Sequence, residues 1–203
     1  MRPSQLRATA FHEAGHAVAA YAENLRIRKA TIIAERNTLG YVLNDSPSGG
    51  VQLDCDRADR ARLRAERAII ICLAGPVAQK RYSPRSWRNV DGSEDYEQAK
   101  NLAIKINGST DAANAHLKWL EIQTRDLVEL RWREVEIIAE ALLREQTLDQ
   151  TRIQEILGPL RRSLPEKKIR VTDREAEFIA EASDRPGMIL WKVRGASKPK
   201  KGK

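Results

Sequence analysis

His12, Glu13 and His16 stand together in the stretch FHEAGHAVAAY, residues 11–21. Two imidazoles four residues apart fall on one face of a helix, with Cβ atoms about 5–6 Å apart. At that spacing their ring nitrogens can converge on one Zn2+ ion at about 2.0–2.1 Å. Glu13 follows the first histidine and lies beside such an ion without ligating it. A carboxylate there can take a proton from a water attacking a carbonyl and hand it to the departing amine. The flanking Ala14, Gly15, Ala17, Val18, Ala19 and Ala20 are small or apolar, so this helix is expected to be buried. Inert surface histidines would not need such flanks, whereas three ionisable groups inside a buried helix need partners.

A zinc site of this kind takes a third protein ligand. One histidine remains, His116 in ANAHLKWL, and a lone histidine on an amphipathic helix is more often a boundary residue than a ligand. The other candidates are carboxylates. The segment NVDGSEDYEQAKNLA (89–103) offers Asp91, Glu94, Asp95 and Glu97, and spacing alone does not choose among them. Cys55 and Cys72 have no CxxC spacing and read as structural. Trp119 and Trp132 fall among apolar residues and read as packing groups, Trp87 lies in a loop near the acidic segment, and Trp191 sits in MILWKV.

The elements that must position these groups are mainly helical. Leu6, Ala10, Ala14, Ala17 and Val18 recur at helical spacing, predicting a first helix from about Ser4 to Asn24. RKATIIAE (28–35) and TLGYVLND (38–45) are rich in β-branched and aromatic residues and predict two short strands. After a loop at SPSGG (46–50), Asp54 or Asp56 is placed to cap a helix from about Arg57 to Tyr82, which Gly75-Pro76 would kink or end. SPRSWRNVDGS (83–93) reads as a loop. Ser93 would cap a helix over 94–106, closed by Asn107-Gly108. A long helix is expected over Asp111–Gln146, broken near 122–125, then a short capped helix ended by Gly158-Pro159.

With 203 residues the chain is long enough for one domain with an appendage. The longest apolar run, AIIICLAGPVA (68–78), is shorter than the ~20 residues a bilayer span needs. The N-terminal residues lack the uninterrupted apolar core of a signal peptide. Both features predict a cytoplasmic protein. The net charge is +8, and the stretch WKVRGASKPKKGK at the C-terminal end is basic without an acid. Such a tail can make weak contacts with nucleic acid or an anionic surface, and it otherwise reads as a solvated, partly disordered end.

Five blocks, in one order, resemble the peptidase domain of the FtsH family, the membrane-anchored AAA zinc metalloproteases. They are HEAGHAV, KATIIAERNTLGYVL, IICLAGPVAQ, SEDYEQAKNLA and IIAEALLREQTLDQTRIQEIL, and they span roughly residues 8–158. The resemblance implies a zincin-like helical metallopeptidase domain over residues 1–165, mainly α (α+β) with a small two-strand β element. Residues 166–203 would form a basic extension. It implies Zn2+ held by His12, His16 and Asp95, with Glu13 as the base. It also implies that Gly40, Tyr41 and Val42 offer a strand edge to an extended polypeptide substrate. Two departures stand out. No GxxxxGK[ST] phosphate loop and no transmembrane stretch occur in these residues, so hydrolysis would act on flexible or unfolded chains without ATP, or on chains fed by a separate unfoldase or adaptor. Gln79 stands where the family usually has glutamate. The alternative to a metalloendopeptidase is a non-degradative regulatory or nucleic-acid-binding or partner-binding module that keeps the metal-binding fold.

Overall fold

Small residues let α1 (Pro3–Ala22) pack closely against neighbouring helices. Ala10, Ala14, Ala17, Val18, Ala19 and Ala20 are all buried, so the helix is enclosed on more than one face. Alanine is the best helix former, and a helix apolar nearly all round belongs inside a fold. The structure is a computed structural model describing residues 3–34, 40–44, 59–84 and 93–163. The chain divides into two compact units, residues 1–163 and 164–203. The second unit, the SPSGG loop, Asp54, Cys55, Asp56, Trp87 and Asp91 lie outside the described residues. No helix among the described residues is long and apolar enough to cross a membrane.

The first unit is mainly helical with a small three-stranded sheet. Helix α1 packs against α2 (Asp59–Tyr82) and α5 (Trp132–Glu145). The central core joins Phe11, Ala14 and Val18 of α1 to Ile71, Ala74 and Ala78 of α2 and to Val135, Ile138 and Leu142 of α5. A second core of Ile69, Leu73, Ala99, Ala103, Ala113, Leu117 and Leu120 locks α2 to α3 (Ser93–Ile106) and α4 (Thr110–Leu130). Helix α6 (Gln150–Ser163) closes the unit.

Gly15 sets the distance between α1 and α2. A Cβ on it would lie 2.5 Å from the Ala74 carbonyl oxygen and 2.7 Å from the Ala78 Cβ. Neither neighbour can rotate away, so the helices would have to separate. Gly15→Ala is expected to destabilise the protein by about 3 kcal/mol, the upper end for overpacking. That corresponds to a Tm fall of roughly 6–12 °C for a chain of this size. Gly108→Ala, where a Cβ meets nothing within 4 Å, is the control in the same thermal unfolding experiment. Equal Tm values for the two variants would refute the close approach.

Several boundaries differ from those read in the sequence. The sheet has three strands, not two: β2 (Tyr41–Asn44), β1 (Ile27–Thr31) and β3 (Thr147–Asp149), in that order and antiparallel throughout. Strand β3 is three residues long, too short to show an alternating pattern, and it pairs with β1 from 116 to 120 residues further along the chain. Gln146 makes this possible by taking a left-handed conformation, φ 60°, directly after α5. Its carbonyl then accepts bonds from the Ile32 N–H (3.0 Å) and the Thr31 hydroxyl (3.2 Å).

The long helix breaks at Arg131 rather than near 122–125. No glycine or proline marks the place; Arg131 turns inward and its guanidinium meets the buried Glu134 carboxylate at 3.0 Å. Pro76 and Pro159 both lie inside their helices rather than ending them. Gly108 does not adopt a left-handed cap. The Asn107 amide instead donates to the Ala103 carbonyl, and Ser109 caps α4 through the Ala112 N–H. Trp132 is half-buried and stacks on the buried Phe11, whereas Trp119 is 51% exposed and lies against the His116 ring.

Candidate metal centre

Two antiparallel stripes at four-residue spacing build the site. On α1 the stripe is His12 and His16. On α2 it is Ile71, Gly75 and Gln79, with the same spacing. The His16 ring lies directly over Gly75, where a Cβ would come within 2.3 Å of Nε2. His16 Nδ1 is 2.7 Å from the Ile71 carbonyl oxygen, and His12 Nδ1 is 2.8 Å from Gln79 Oε1. A carbonyl or amide oxygen only accepts. Each Nδ1 therefore carries a proton, and each Nε2 is turned toward the other ring and Asp95.

Helix α3 brings the third group. Ala99 and Ala103 pack in the core shared with α2, and Asp95 lies one turn earlier on the same face. Its position in the first turn of α3 also suits a carboxylate, because the helix N-terminus is positive. Asp95 Oδ2 is 3.0 Å from His12 Nε2, Asp95 Oδ1 is 3.6 Å from His16 Nε2, and the two Nε2 atoms are 3.0 Å apart. The three potential ligand atoms all lie within 4.8 Å of one another. Ligands at about 2.0–2.1 Å from one tetrahedral ion stand about 3.3 Å apart, so the spacing suits a zinc ion.

Charge follows the same geometry. Burial raises the pKa of Asp95, but hydrogen bonds from His12 and His16 and their positive charge outweigh it and hold the carboxyl below its usual range. Burial disfavours the His16 imidazolium, yet the Asp95 hydrogen bond and the Asp95 and Glu13 charges carry its pKa up to about 9. Glu13 is 5% exposed, and burial pushes its pKa up against the pull of His16 and His12. Cys72 is held as a thiol, up to about 12, by burial and by the Asp95 charge.

The structure thus brings His12, Glu13, His16 and Asp95 together. Gly40 is also here: a Cβ on it would lie 2.9 Å from Glu13 Oε1 and 2.7 Å from the Thr31 carbonyl oxygen. Tyr41 and Val42 follow on β2, one of the two outer strands of the sheet. The Tyr41 hydroxyl accepts from Lys29 Nζ at 2.9 Å, and Val42 packs against the central core. Their backbone, not their side chains, is what this edge can offer.

The other candidates fall elsewhere. His116 accepts from the Asn107 amide (3.2 Å) and faces Glu66 (3.3 Å) across α2 and α4. Glu94 and Glu97 are exposed on α3. Three contributors were not legible as such: the Ile71 carbonyl, the space over Gly75, and the Gln79 amide as a histidine acceptor. A polar Gln79 four residues after Gly75 in an apolar run was the available signal. No protein-family model matches the chain.

Proposed function

We propose that the chain is a zinc metalloendopeptidase of the FtsH peptidase type, acting on flexible or unfolded polypeptides without an ATPase of its own. The observation that carries this reading is the convergence of His12 Nε2, His16 Nε2 and the Asp95 carboxylate beside the buried Glu13. His12, His16 and Asp95 would hold the ion, three ligands that leave a fourth position open as a catalytic rather than a structural zinc site does. Zinc supplies Lewis-acid polarisation of the scissile carbonyl and lowers the pKa of an attacking water.

Glu13 does the proton work. It accepts the proton of the attacking water and returns it to the amine nitrogen as the peptide bond breaks. Its buried position favours taking up the proton, because a carboxylate out of water is less stable in its charged form. The backbone at Gly40 runs against Glu13, so an extended peptide paired with the outer edge of β2 would pass beside the base. Main-chain pairing of this kind reads backbone more than side chains.

The test is cleavage of an unfolded, fluorescently labelled protein in the absence of ATP. Cleavage is expected, to be lost with a chelator, and to return when zinc is restored. Cleavage that survives chelation, or its absence from a zinc-loaded sample, would overturn the proposal. Nucleic-acid binding that falls steeply with salt in the same preparation would favour the regulatory module instead.

A further inference from the structure

Gln79 is a buried polar side chain on an otherwise apolar stretch of α2, and hydrolysis as described above makes no direct use of it. It lies four residues after Gly75 and eight after Ile71, on the stripe that faces the two histidines. Its Oε1 meets His12 Nδ1 at 2.8 Å. With the oxygen there, His12 keeps a proton on Nδ1, so that an ion entering the cluster needs to displace only the Nε2 proton shared with Asp95. With the amide turned over, its N–H would donate to Nδ1, and the histidine proton would move to Nε2, where it blocks ligation. The orientation of one amide thus decides whether His12 is able to ligate.

The amide is also neutral. So is the Ile71 carbonyl behind His16. A carboxylate behind a ligating imidazole raises its basicity and tightens metal binding. Neither histidine here has that support, and Asp95 is the single anion of the candidate ligand set.

We infer that Gln79 is the positioning residue of the metal centre. It selects the metal-competent tautomer of His12 and, being neutral, keeps metal affinity below what a carboxylate at this position would give. The inference rests on the metal-site reading above. It implies a readily exchanged and strongly Lewis-acidic ion, since a less basic ligand leaves the cation more electron-poor.

The experiment uses the full chain as wild type, Gln79→Met, Gln79→Glu and His12→Ala. Methionine nearly matches glutamine in volume but removes the strong acceptor. Nitrogen-15 spectra of the metal-free protein report whether His12 Nδ1 carries a proton, and competition with a chromophoric chelator gives the zinc dissociation constant. Wild type is expected to prefer a protonated Nδ1, whether or not Nε2 also donates to Asp95. Gln79→Met should lose that preference and bind zinc roughly 10–100-fold more weakly. Gln79→Glu should restore the tautomer and bind about tenfold more tightly than wild type.

A wild-type tautomer and affinity in Gln79→Met would overturn the inference, as would a Gln79→Glu variant no tighter than wild type. If Gln79→Met fails to fold, the Gln79→Glu comparison decides. Equal zinc affinity in wild type and His12→Ala would sink the metal-site reading itself. The tautomer spectra, which need no metal, separate that failure from a failure of the Gln79–His12 contact.

Discussion

Glu13→Gln is expected to lower peptide hydrolysis by at least roughly 10²–10⁴-fold, the usual share of general acid–base catalysis, while leaving zinc content unchanged. The substitution keeps the shape of the side chain and removes its ability to accept a proton. Shape matters here, because Glu13 is buried and fits against the Gly40 backbone, so a shorter side chain would confuse loss of chemistry with loss of packing. The amide also does not replace a ligand, since the ligand atoms come from His12, His16 and Asp95. Cleavage rates and metal content measured on the same sample separate the two roles. A variant that keeps more than a tenth of the wild-type rate would exclude Glu13 as the base. A variant that loses its zinc would mean that Glu13 helps to hold the ion.

Gly75→Ala is expected to abolish stoichiometric zinc binding in a protein that still folds. Alanine is the better helix former by about 1 kcal/mol, so propensity alone predicts a gain in stability. Packing opposes it. The new Cβ would lie 2.3, 2.6 and 2.7 Å from Nε2, Cε1 and Cδ2 of His16. The ring cannot slide along α2, because its Nδ1–H is bonded to the Ile71 carbonyl at 2.7 Å. The helices cannot part cheaply either, because the adjacent Gly15 is seated against Ala74 and Ala78. The remaining escape is rotation of the ring out of the cluster, which removes one ligand. The loss should exceed the roughly 10–100-fold typical of disturbing only an outer-shell partner. Circular dichroism checks the fold and zinc titration checks the site. Wild-type affinity in the folded variant would show that His16 does not need this space.

The order of these elements explains why the site was only partly legible. His12, Glu13 and His16 are four residues apart at most, and helix geometry alone puts the histidines on one face. Asp95 comes from 83 residues after His12. Its neighbours Glu94 and Glu97 have the same chemistry, and nothing local separates them. What selects Asp95 is the stripe it shares with Ala99 and Ala103, which packs into the second core. The resemblance named the same residue from a matching segment, but the physical reason lies in the docking of α3 on α2. Gly75 reads as a kink and Gln79 as a departure until α2 is laid antiparallel to α1. Then one is the space for a ring and the other its acceptor.

The sequence by itself determined the helical class, the buried α1, the first two strands and the paired histidines with their carboxylate. Each of these follows from contacts between residues a few positions apart, where backbone geometry sets the distance. The tertiary structure alone decided the third strand, the break at Arg131 and the partners of the two histidine rings. The third strand and the ring partners depend on groups 55 to 120 residues apart that meet through the packing of small side chains. The break at Arg131 follows from a local turn whose inward ion pair no glycine or proline announces.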